Sequence, residues 1–257
     1  MAETCRGPSF MWRLYALTSP LLDLRRTARN VPAFFRYLAD LSEYKQMSGG
    51  QSLSAGDLRP VLGDNLPGHP FDKHYFHQDM WAFERIFKAR PDHHVDVASS
   101  IPFVSLLSRV VKVNYVDLRP LNVNVPNLEC TSGNLLDLPF EANSVRSISC
   151  LHVAEHVGLG RYGDKLDPEG TKKSCRELVR VLALGGRLYF SLPIGRERVC
   201  FNAHRVHSTK TILSYFEPLK LVELSGIDDN ADFVENVPME RMDSCEYGCG
   251  LFVFTKQ

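Results

Sequence analysis

The sequence carries no net charge of either sign, because its 30 lysines and arginines are balanced by 30 aspartates and glutamates. With no basic stripe interleaved with aromatic residues, this balance disfavours a nucleic-acid substrate. No apolar run approaches the roughly 20 residues that a membrane-spanning helix needs. The first residues also lack the compact apolar core of a secretory signal. We therefore expect a cytoplasmic protein without a transmembrane segment.

The seven cysteines follow no spacing that is typical of a zinc site or a disulfide framework. Cys245 and Cys249 form the closest pair, and no second pair or His-x-x-x-His motif accompanies them. We therefore expect no metal site. Free cysteines in predicted strands and helices are typical of small core residues in a reducing compartment, in agreement with a cytoplasmic location.

Composition divides the chain into three predicted segments. Residues 1–50 are predicted to form a helical arm, residues 51–70 a linker rich in Gly, Ser, Pro and Asp, and residues 71–257 the main domain. The apolar positions of an amphipathic helix in the arm are Phe34, Tyr37, Leu38 and Leu41. The basic residues around it are Arg25, Arg26, Arg29 and Arg36. Such a helix can lie on a membrane surface, but packing on its own domain with solvated arginines is the favoured interpretation.

Residues 94–120 predict a β-α-β unit. A buried strand over 95–97 is followed by a short helix, and a second strand over 113–116 ends on Asp117. Ser99 or Ser100 can cap the helix. Because parallel sheets bind ligands at the carboxyl ends of their strands, where a carboxylate can hold a ribose, this unit predicts a site for a nucleoside-type cofactor.

Strands and helices alternate through the rest of the chain without a repeat. Further strands are predicted around residues 127–130, 145–151, 187–192, 219–224 and 250–255. Gly185 and Gly186 are predicted to end the helix that precedes the strand over 187–192. This alternation predicts one α/β domain with a doubly wound sheet.

Two segments carry a resemblance to a known family. GNLLDLPFEANSVRSISCLHVAEHVG (133–158) and LALGGRL (182–188) resemble the class I S-adenosylmethionine-dependent methyltransferases, in the branch that acts on small molecules. More narrowly, FDKHYFHQD, HVAEHVGLGRYGD and PIGRERVCFNAHRV are similar to the methyltransferase-like DUF268 family. The resemblance implies a mostly parallel, seven-stranded Rossmann-like sheet with a final antiparallel strand, and S-adenosylmethionine as cofactor.

The resemblance also implies which residues hold the cofactor. Asp96 would open the cofactor turn, Asp117 would hold both ribose hydroxyls, and Asn134 would lie beside the adenine. The implied cofactor-binding residues are Asp96, Ala98, Ser99, Ser100, Asp117, Leu118, Asn134, Leu135, Leu151 and His152. Ala98 and Ser100 stand where the family turn has glycines, and Asn134 replaces an Asp. Since Ala and Ser tolerate positive φ poorly, these departures predict a reshaped turn or weaker binding.

Residues after the fourth and fifth strands are candidates for the acceptor site. A general base assists methyl transfer to a hydroxyl or a protonated amine, and the candidates are Glu155, His156 and His204. The candidate substrate-binding residues are Arg161, Arg196, Arg198, Asn202 and Arg205. Their cations suit an acidic acceptor, such as a carboxylate or a phosphate-bearing sugar.

Three functions compete at this stage. The first is an active methyltransferase for a small molecule, and the second is a methyltransferase-fold protein that binds a ligand without turnover. The third is a nicotinamide-dependent oxidoreductase, although the G-x-G-x-x-G motif of that class is absent from the sequence. The direction of the last strand distinguishes the third from the other two, because an antiparallel last strand is expected only in the methyltransferase sheet.

Overall fold

A computed structural model describes Thr18, residues 23–47 and residues 53–257. Those parts of the predicted arm and linker that fall on other positions lie outside the described residues. The chain divides between Phe71 and Asp72 into two compact units. Of the helices described, none has both the length and the apolar character to cross a membrane.

The first unit contains one long helix, α1 (Leu24–Met47). Asp23 caps it, because the Asp23 carboxylate accepts a hydrogen bond of 2.8 Å from the Arg26 backbone N–H. A single turn of 3-10 helix, Ala55–Asp57, follows and is capped by Ser54. Of the residues in α1, Ala33 is buried, whereas most of its large apolar side chains are exposed.

The second unit holds the predicted sheet, and most of its elements fall close to the predicted positions. Its helices are α2 (Lys73–Ala89), α3 (Ile101–Leu107), α4 (Gly170–Val181), α5 (Thr209–Tyr215) and α6 (Met239–Asp243). Its strands are β1 (His93–Val97), β2 (Lys112–Asp117), β3 (Leu128–Ser132), β4 (Val145–Leu151), β5 (Leu182–Ile194), β6 (Arg198–Cys200), β7 (His204–Val206), β8 (Lys220–Ile227), β9 (Phe233–Val234) and β10 (Gly248–Thr255).

The main sheet has the strand order β3-β2-β1-β4-β5-β10-β8-β9. Strands β3, β2, β1, β4 and β5 are parallel, and β10 runs antiparallel to both β5 and β8. The doubly wound sheet with an antiparallel last strand is therefore confirmed. Strands β6 and β7 form a separate antiparallel hairpin that precedes α5.

The sheet has eight strands where the resemblance implied seven. The extra strand is the two-residue β9, which pairs with the end of β8. It forms because the Asp228 carboxylate accepts hydrogen bonds from the backbone N–H groups of Asn230 and Asp232, which folds the chain back on itself. A strand of two residues has no period that a sequence pattern can reveal.

The boundary predicted at Gly185 and Gly186 is wrong. Helix α4 ends at Val181 and β5 begins at Leu182, which pairs with Val145 at the start of β4. Gly185 nevertheless has φ +72, a left-handed conformation that glycine adopts without strain. The two glycines therefore lie in an irregular part of the strand, where the register between β4 and β5 shifts.

Side chains alternate between the two faces of the sheet and fill two cores. On one face Leu251 and Val253 pack with apolar residues of α2 and α3. On the other, Phe252 and Phe254 pack with apolar residues of α4 and α5. With both faces covered, a ligand can reach the sheet only at its edges and at the ends of its strands.

Candidate functional site

A cavity of about 870 Å³ lies at the carboxyl ends of β1, β2, β3 and β4. Its lining comes from the segments that follow those strands: residues 97–101, 115–119, 133–136, 152–153, 156–157 and 162–167. This is the position that the β-α-β unit predicted. The volume falls within the range of about 300–1,000 Å³ that is typical of small-molecule and cofactor sites.

The buried carboxylate of Asp96 stabilises the turn after β1. Asp96 is fully buried, and its Oδ1 accepts a hydrogen bond of 3.0 Å from the Ser99 backbone N–H, while its Oδ2 accepts one from the Ser149 hydroxyl. Burial raises the pKa of Asp96 to about 7. The Ser99 hydroxyl in turn accepts a bond of 3.1 Å from the Leu151 N–H, which ties the turn to β4.

Ala98 and Ser100, the two residues that replace glycines of the family turn, adopt different backbone conformations. Ala98 has φ +55, so it keeps the left-handed conformation that a glycine would adopt there. Ser100 has φ −61 and ψ 137, which any residue adopts, and its hydroxyl caps α3 by accepting a bond from the Phe103 N–H. Of these two residues, Ala98 alone adopts a backbone conformation that is costly for an L-residue.

We expect Ala98→Gly to raise the free energy of unfolding by about 1 kcal/mol, because a left-handed conformation costs an L-residue about 1–2 kcal/mol and glycine nothing comparable. Ser100→Gly is the matched control and should lower the free energy of unfolding, since it removes a cap at a position with negative φ. Urea unfolding of both variants measures these changes. A loss of stability in Ala98→Gly would show that the turn does not use its left-handed conformation.

Asp117 lies at the end of β2 on the cavity wall. Its Oδ2 accepts a hydrogen bond of 3.1 Å from the Tyr115 hydroxyl, and its Oδ1 accepts one of 2.7 Å from the Arg119 backbone N–H. These two bonds fix the carboxylate, and each oxygen keeps a lone pair for a further donor. Tyr115 was missed by the sequence analysis, although the alternation of a strand places it on the same face as Asp117.

The segment after β3 forms another part of the wall. A Cβ at Gly133 would lie 2.4 Å from a methyl group of Val116, so only glycine lets β3 approach β2 this closely. Asn134 forms a turn, in which its Oδ1 accepts a bond of 2.9 Å from the Leu136 N–H. Leu135 is buried and lines the cavity. Its more exposed neighbours Asn134 and Leu136 line the cavity too.

His152 follows β4 and has φ +55, a conformation that is uncommon outside glycine. Its ring Nδ1 bonds to Oε1 of Gln78 on α2, and Gln78 Oε1 also accepts from the Ser191 hydroxyl. Because Oε1 can only accept, the Nδ1 carries the proton and the Nε2 is left as an acceptor. That Nε2 is buried and has no hydrogen-bond partner, while burial lowers the pKa of His152 well below its usual range.

Glu155 lies in a 3-10 turn after His152 and is fully buried. Neither of its carboxylate oxygens has a hydrogen-bond partner, and burial raises its pKa to about 8. The neighbouring His156 donates its Nδ1–H to the Ala203 carbonyl at 2.6 Å, so its Nε2 is an acceptor that lies 3.5 Å from Glu155 Oε1. Two acceptors at this distance are compatible when Glu155 carries a proton.

The five candidate substrate-binding residues do not line the cavity. Arg205 is buried and donates to the carbonyls of Val157 and Asp167 at 2.6 and 2.9 Å. Arg161 donates to the Ala203 carbonyl at 3.1 Å. The others are exposed or half-buried at the hairpin: Arg196 pairs with Glu246, Arg198 bonds to backbone carbonyls, and Asn202 lies at the tip.

The cavity thus unites most of the cofactor residues but few of the acceptor residues. Its lining includes Ala98, Ser99, Ser100, Asp117, Leu118, Asn134, Leu135, His152 and His156. Asp96, Leu151 and Glu155 are buried beside the lining, and His204 lies on β7. Within the described ranges, no group of three or more His, Cys, Asp or Glu side chains is arranged to hold a metal ion.

The family model described as Caenorhabditis protein of unknown function, DUF268, matches residues 141–228, in agreement with the predicted resemblance. No curated protein sequence matches the chain.

Among solved structures, a Galdieria sulphuraria protein provisionally named a sarcosine dimethylglycine methyltransferase is 15% identical, with a TM-score of 0.50 over 71% of this chain and 86% of that one. The N-methyltransferase NodS from Bradyrhizobium japonicum, in complex with S-adenosylhomocysteine, is 15% identical over 77% of this chain and 91% of that one, with a TM-score of 0.49. The YcgJ protein from Bacillus subtilis is also 15% identical, over 69% of this chain and 99% of that one, with a TM-score of 0.49. With the strand order, the Galdieria match confirms the Rossmann-like methyltransferase fold.

Proposed function

We propose that the chain is an S-adenosylmethionine-dependent methyltransferase that acts on a small molecule. The observation that carries the proposal is the placement of the Asp117 carboxylate on the wall of the cavity at the carboxyl ends of β1 and β2. A carboxylate at the end of the second strand is suited to accept two hydrogen bonds from a ribose. The methyltransferase fold makes an adenosyl ligand the natural occupant.

The residues around Asp117 fit the rest of that ligand. Leu118 and Leu135 offer apolar surface for an adenine ring, and the Asn134 side chain lies at the same wall with its amide N–H₂ free to donate. The turn after β1 lines the cavity through Ala98, Ser99 and Ser100. When bound, the cofactor supplies a methyl group activated as a sulfonium, which a nucleophile takes by direct displacement.

The chain's own contribution would be alignment and one proton acceptor. Alignment of two reactants can supply about 7–11 kcal/mol of a reaction barrier. His156 lines the cavity, and its Nε2 is free to accept a proton because the Nδ1–H is donated to Ala203. We therefore assign His156 as one candidate general base, and the neighbouring Glu155, whose pKa is raised to about 8, as a second.

Two observations favour this function over its competitors. The antiparallel direction of β10 disfavours the nicotinamide-dependent oxidoreductase. The left-handed conformation of Ala98 supports an active enzyme over a binding protein without turnover, because Ala98 adopts the positive φ that glycine adopts most readily. The arginines that suggested an acidic acceptor are bonded elsewhere or lie outside the cavity lining, so we do not extend the proposal to an acidic or sugar-type acceptor.

Isothermal titration of the full chain with S-adenosylhomocysteine tests the proposal. We expect saturable binding at one site with a micromolar dissociation constant, since a largely preformed cavity loses little free energy to ordering. S-adenosylmethionine should bind the same site in competition. The absence of heat at millimolar concentrations of either ligand would contradict the proposal.

A further inference from the structure

A cluster of aromatic and imidazole rings lies beside the cavity. Ring centroids are 5.1 Å apart for His204 and Tyr247, 5.4 Å for Tyr247 and His74, 6.0 Å for His74 and His152, and 5.2 Å for His152 and Tyr75. We call these five residues the ring cluster. His152 also lines the cavity, whereas the other four rings are half-buried. The ring cluster therefore extends from the cavity to the protein surface.

Polar atoms without hydrogen-bond partners lie in and near the ring cluster. Glu155 is fully buried beside Tyr75 and Tyr247, and its carboxylate raises the pKa of both tyrosines in addition to the larger effect of burial. Both Glu155 oxygens and the Nε2 of His152 are without a hydrogen bond. Since roughly 90% or more of buried polar groups are normally satisfied, three such atoms within the short segment 152–155 point to a ligand that supplies donors.

When Glu155 is ionised, all three atoms act as acceptors. The Nδ1 of His152 carries the proton that bonds to Gln78, so its Nε2 offers a lone pair. An ionised Glu155 offers only lone pairs. A carboxylate or phosphate ligand would bring further acceptors and therefore no hydrogen bond to these atoms. An alcohol would bring a single donor for the three acceptor atoms. An ammonium group brings up to three donors and a positive charge.

The rings of the ring cluster are also suited to bind an ammonium group. Burial lowers the pKa of His74 and of His152, and that of His204 to about 4, so these imidazoles are neutral at pH 7. The pKa of Tyr75 is raised to about 12, so its phenol is neutral too. Neutral aromatic faces attract cations. A nearby cation, Arg161, is directed to the Ala203 carbonyl and the ring of Tyr162.

We propose that the ring cluster with Glu155 is the acceptor site and that it receives a primary or secondary amine, bound as an ammonium ion between the Glu155 carboxylate and the Nε2 of His152. This inference rests on the proposed methyltransferase function and names its substrate class. Glu155 then takes the proton that the nitrogen must lose before its lone pair can act as a nucleophile.

Binding by this route releases a proton. Without ligand, Glu155 is mostly protonated at pH 7, because burial raises its pKa to about 8. An ammonium ion favours the ionised carboxylate, so the proton passes to solvent. The titratable groups that face Glu155 are Tyr75, Cys150, His156, Arg161, Tyr247 and Cys249. The tyrosines and cysteines have raised pKa values and His156 a lowered one, so none of these changes charge at pH 7.

Titrations with butylamine, butan-1-ol and butyrate, which share an alkyl chain and differ in the polar group, test the inference on the full chain. We expect butylamine to bind at least tenfold more tightly than the other two, with close to one proton released when heats are compared in buffers of different ionisation enthalpy. Glu155→Gln should weaken butylamine binding at least tenfold and abolish the proton release. The matched control is Glu129→Gln, which changes an exposed carboxylate on β3 and should leave both unchanged.

The outcomes separate this inference from the proposed function. The amine site would be overturned if butan-1-ol bound as tightly as butylamine or if butyrate bound more tightly. It would also be overturned if the wild-type protein bound butylamine without releasing a proton, a result that does not depend on whether a variant folds. If S-adenosylhomocysteine binds and butylamine does not, the methyltransferase proposal stands and the amine inference fails. If butylamine binds as expected and S-adenosylhomocysteine does not, the site is an amine site and the methyltransferase proposal fails.

Discussion

Replacing Asp117 with alanine is expected to weaken the binding of S-adenosylhomocysteine by about a hundredfold. A hydrogen bond to a charged group contributes about 1.5–3 kcal/mol, and a ribose offers two hydroxyl donors to this carboxylate. A loss of about 3 kcal/mol corresponds to a factor of about 100 in affinity. The change should leave the fold intact, because Asp117 is half-buried at the end of β2 and, among the described residues, its carboxylate bonds to its near neighbours Tyr115 and Arg119.

Isothermal titration measures this change, with Asp92→Ala as the control. Asp92 is exposed and precedes β1, so it lies at the amino end of the sheet, opposite the cavity. The control should bind S-adenosylhomocysteine with the wild-type affinity. If Asp117→Ala also keeps that affinity, the ribose is not held at the end of β2 and the cofactor site is placed wrongly.

The second large effect is expected when Arg205 is replaced, and it should lower the stability of the fold rather than the affinity for a substrate. The Arg205 residue is 5% exposed, and its guanidinium donates to the carbonyls of Val157 and Asp167 and, at 3.4 Å, to the Thr171 hydroxyl. These bonds join the two ends of the segment 157–167, which forms one wall of the cavity. Arg205→Leu removes the guanidinium bonds to both carbonyls, although the Asp167 carbonyl still accepts a bond of 3.1 Å from the Gly170 N–H. Because a hydrogen bond to a charged group contributes about 1.5–3 kcal/mol, we expect the free energy of unfolding to fall by about 3 kcal/mol.

Arg196→Leu is the control for Arg205. The Arg196 side chain is 67% exposed and pairs with Glu246 at 3.2 Å, and such exposed pairs contribute about 0–1 kcal/mol. Urea unfolding should therefore separate the two variants clearly. A loss at Arg196 as large as that at Arg205 would mean that the hairpin, rather than the bonds to residues 157–167, determines the stability of this region.

Much of the fold could be predicted because its signals are local. The strand over 145–151 has the predicted bounds, and Asp117 ends its strand as expected, since buried parallel strands are short apolar runs bounded by turns and helices. The direction of β10 followed from the family pattern of motifs. The cavity position followed from the rule that places ligands at the carboxyl ends of parallel strands.

The roles of the charged residues could not be predicted in the same way. Arg205 and Arg196 belong to one basic segment of the sequence, yet one is buried against carbonyls and the other is exposed. Only the path of the hairpin β6–β7 decides which guanidinium points inward. Likewise, the shape of the turn at Ala98 depends on a bond of 2.9 Å from its N–H to the Val116 carbonyl, which lies on another strand.

Contacts between residues from distant parts of the chain could not be predicted from the sequence either. Gln78 lies on α2 and fixes the ring of His152, 74 positions further along. Tyr247 lies just before β10 and completes the ring cluster, although nothing near it in sequence marks it. Such contacts depend on tertiary packing, which periodicity and spacing do not encode.

A crystal structure of the full chain grown with S-adenosylhomocysteine tests the central claim most directly. The account predicts the ribose hydroxyls within hydrogen-bonding distance of the Asp117 carboxylate and the adenine between Leu118 and Leu135. It also predicts the homocysteine end of the ligand on the side of His152. A ligand bound elsewhere, or a cavity filled by side chains from residues 162–167, would contradict the account.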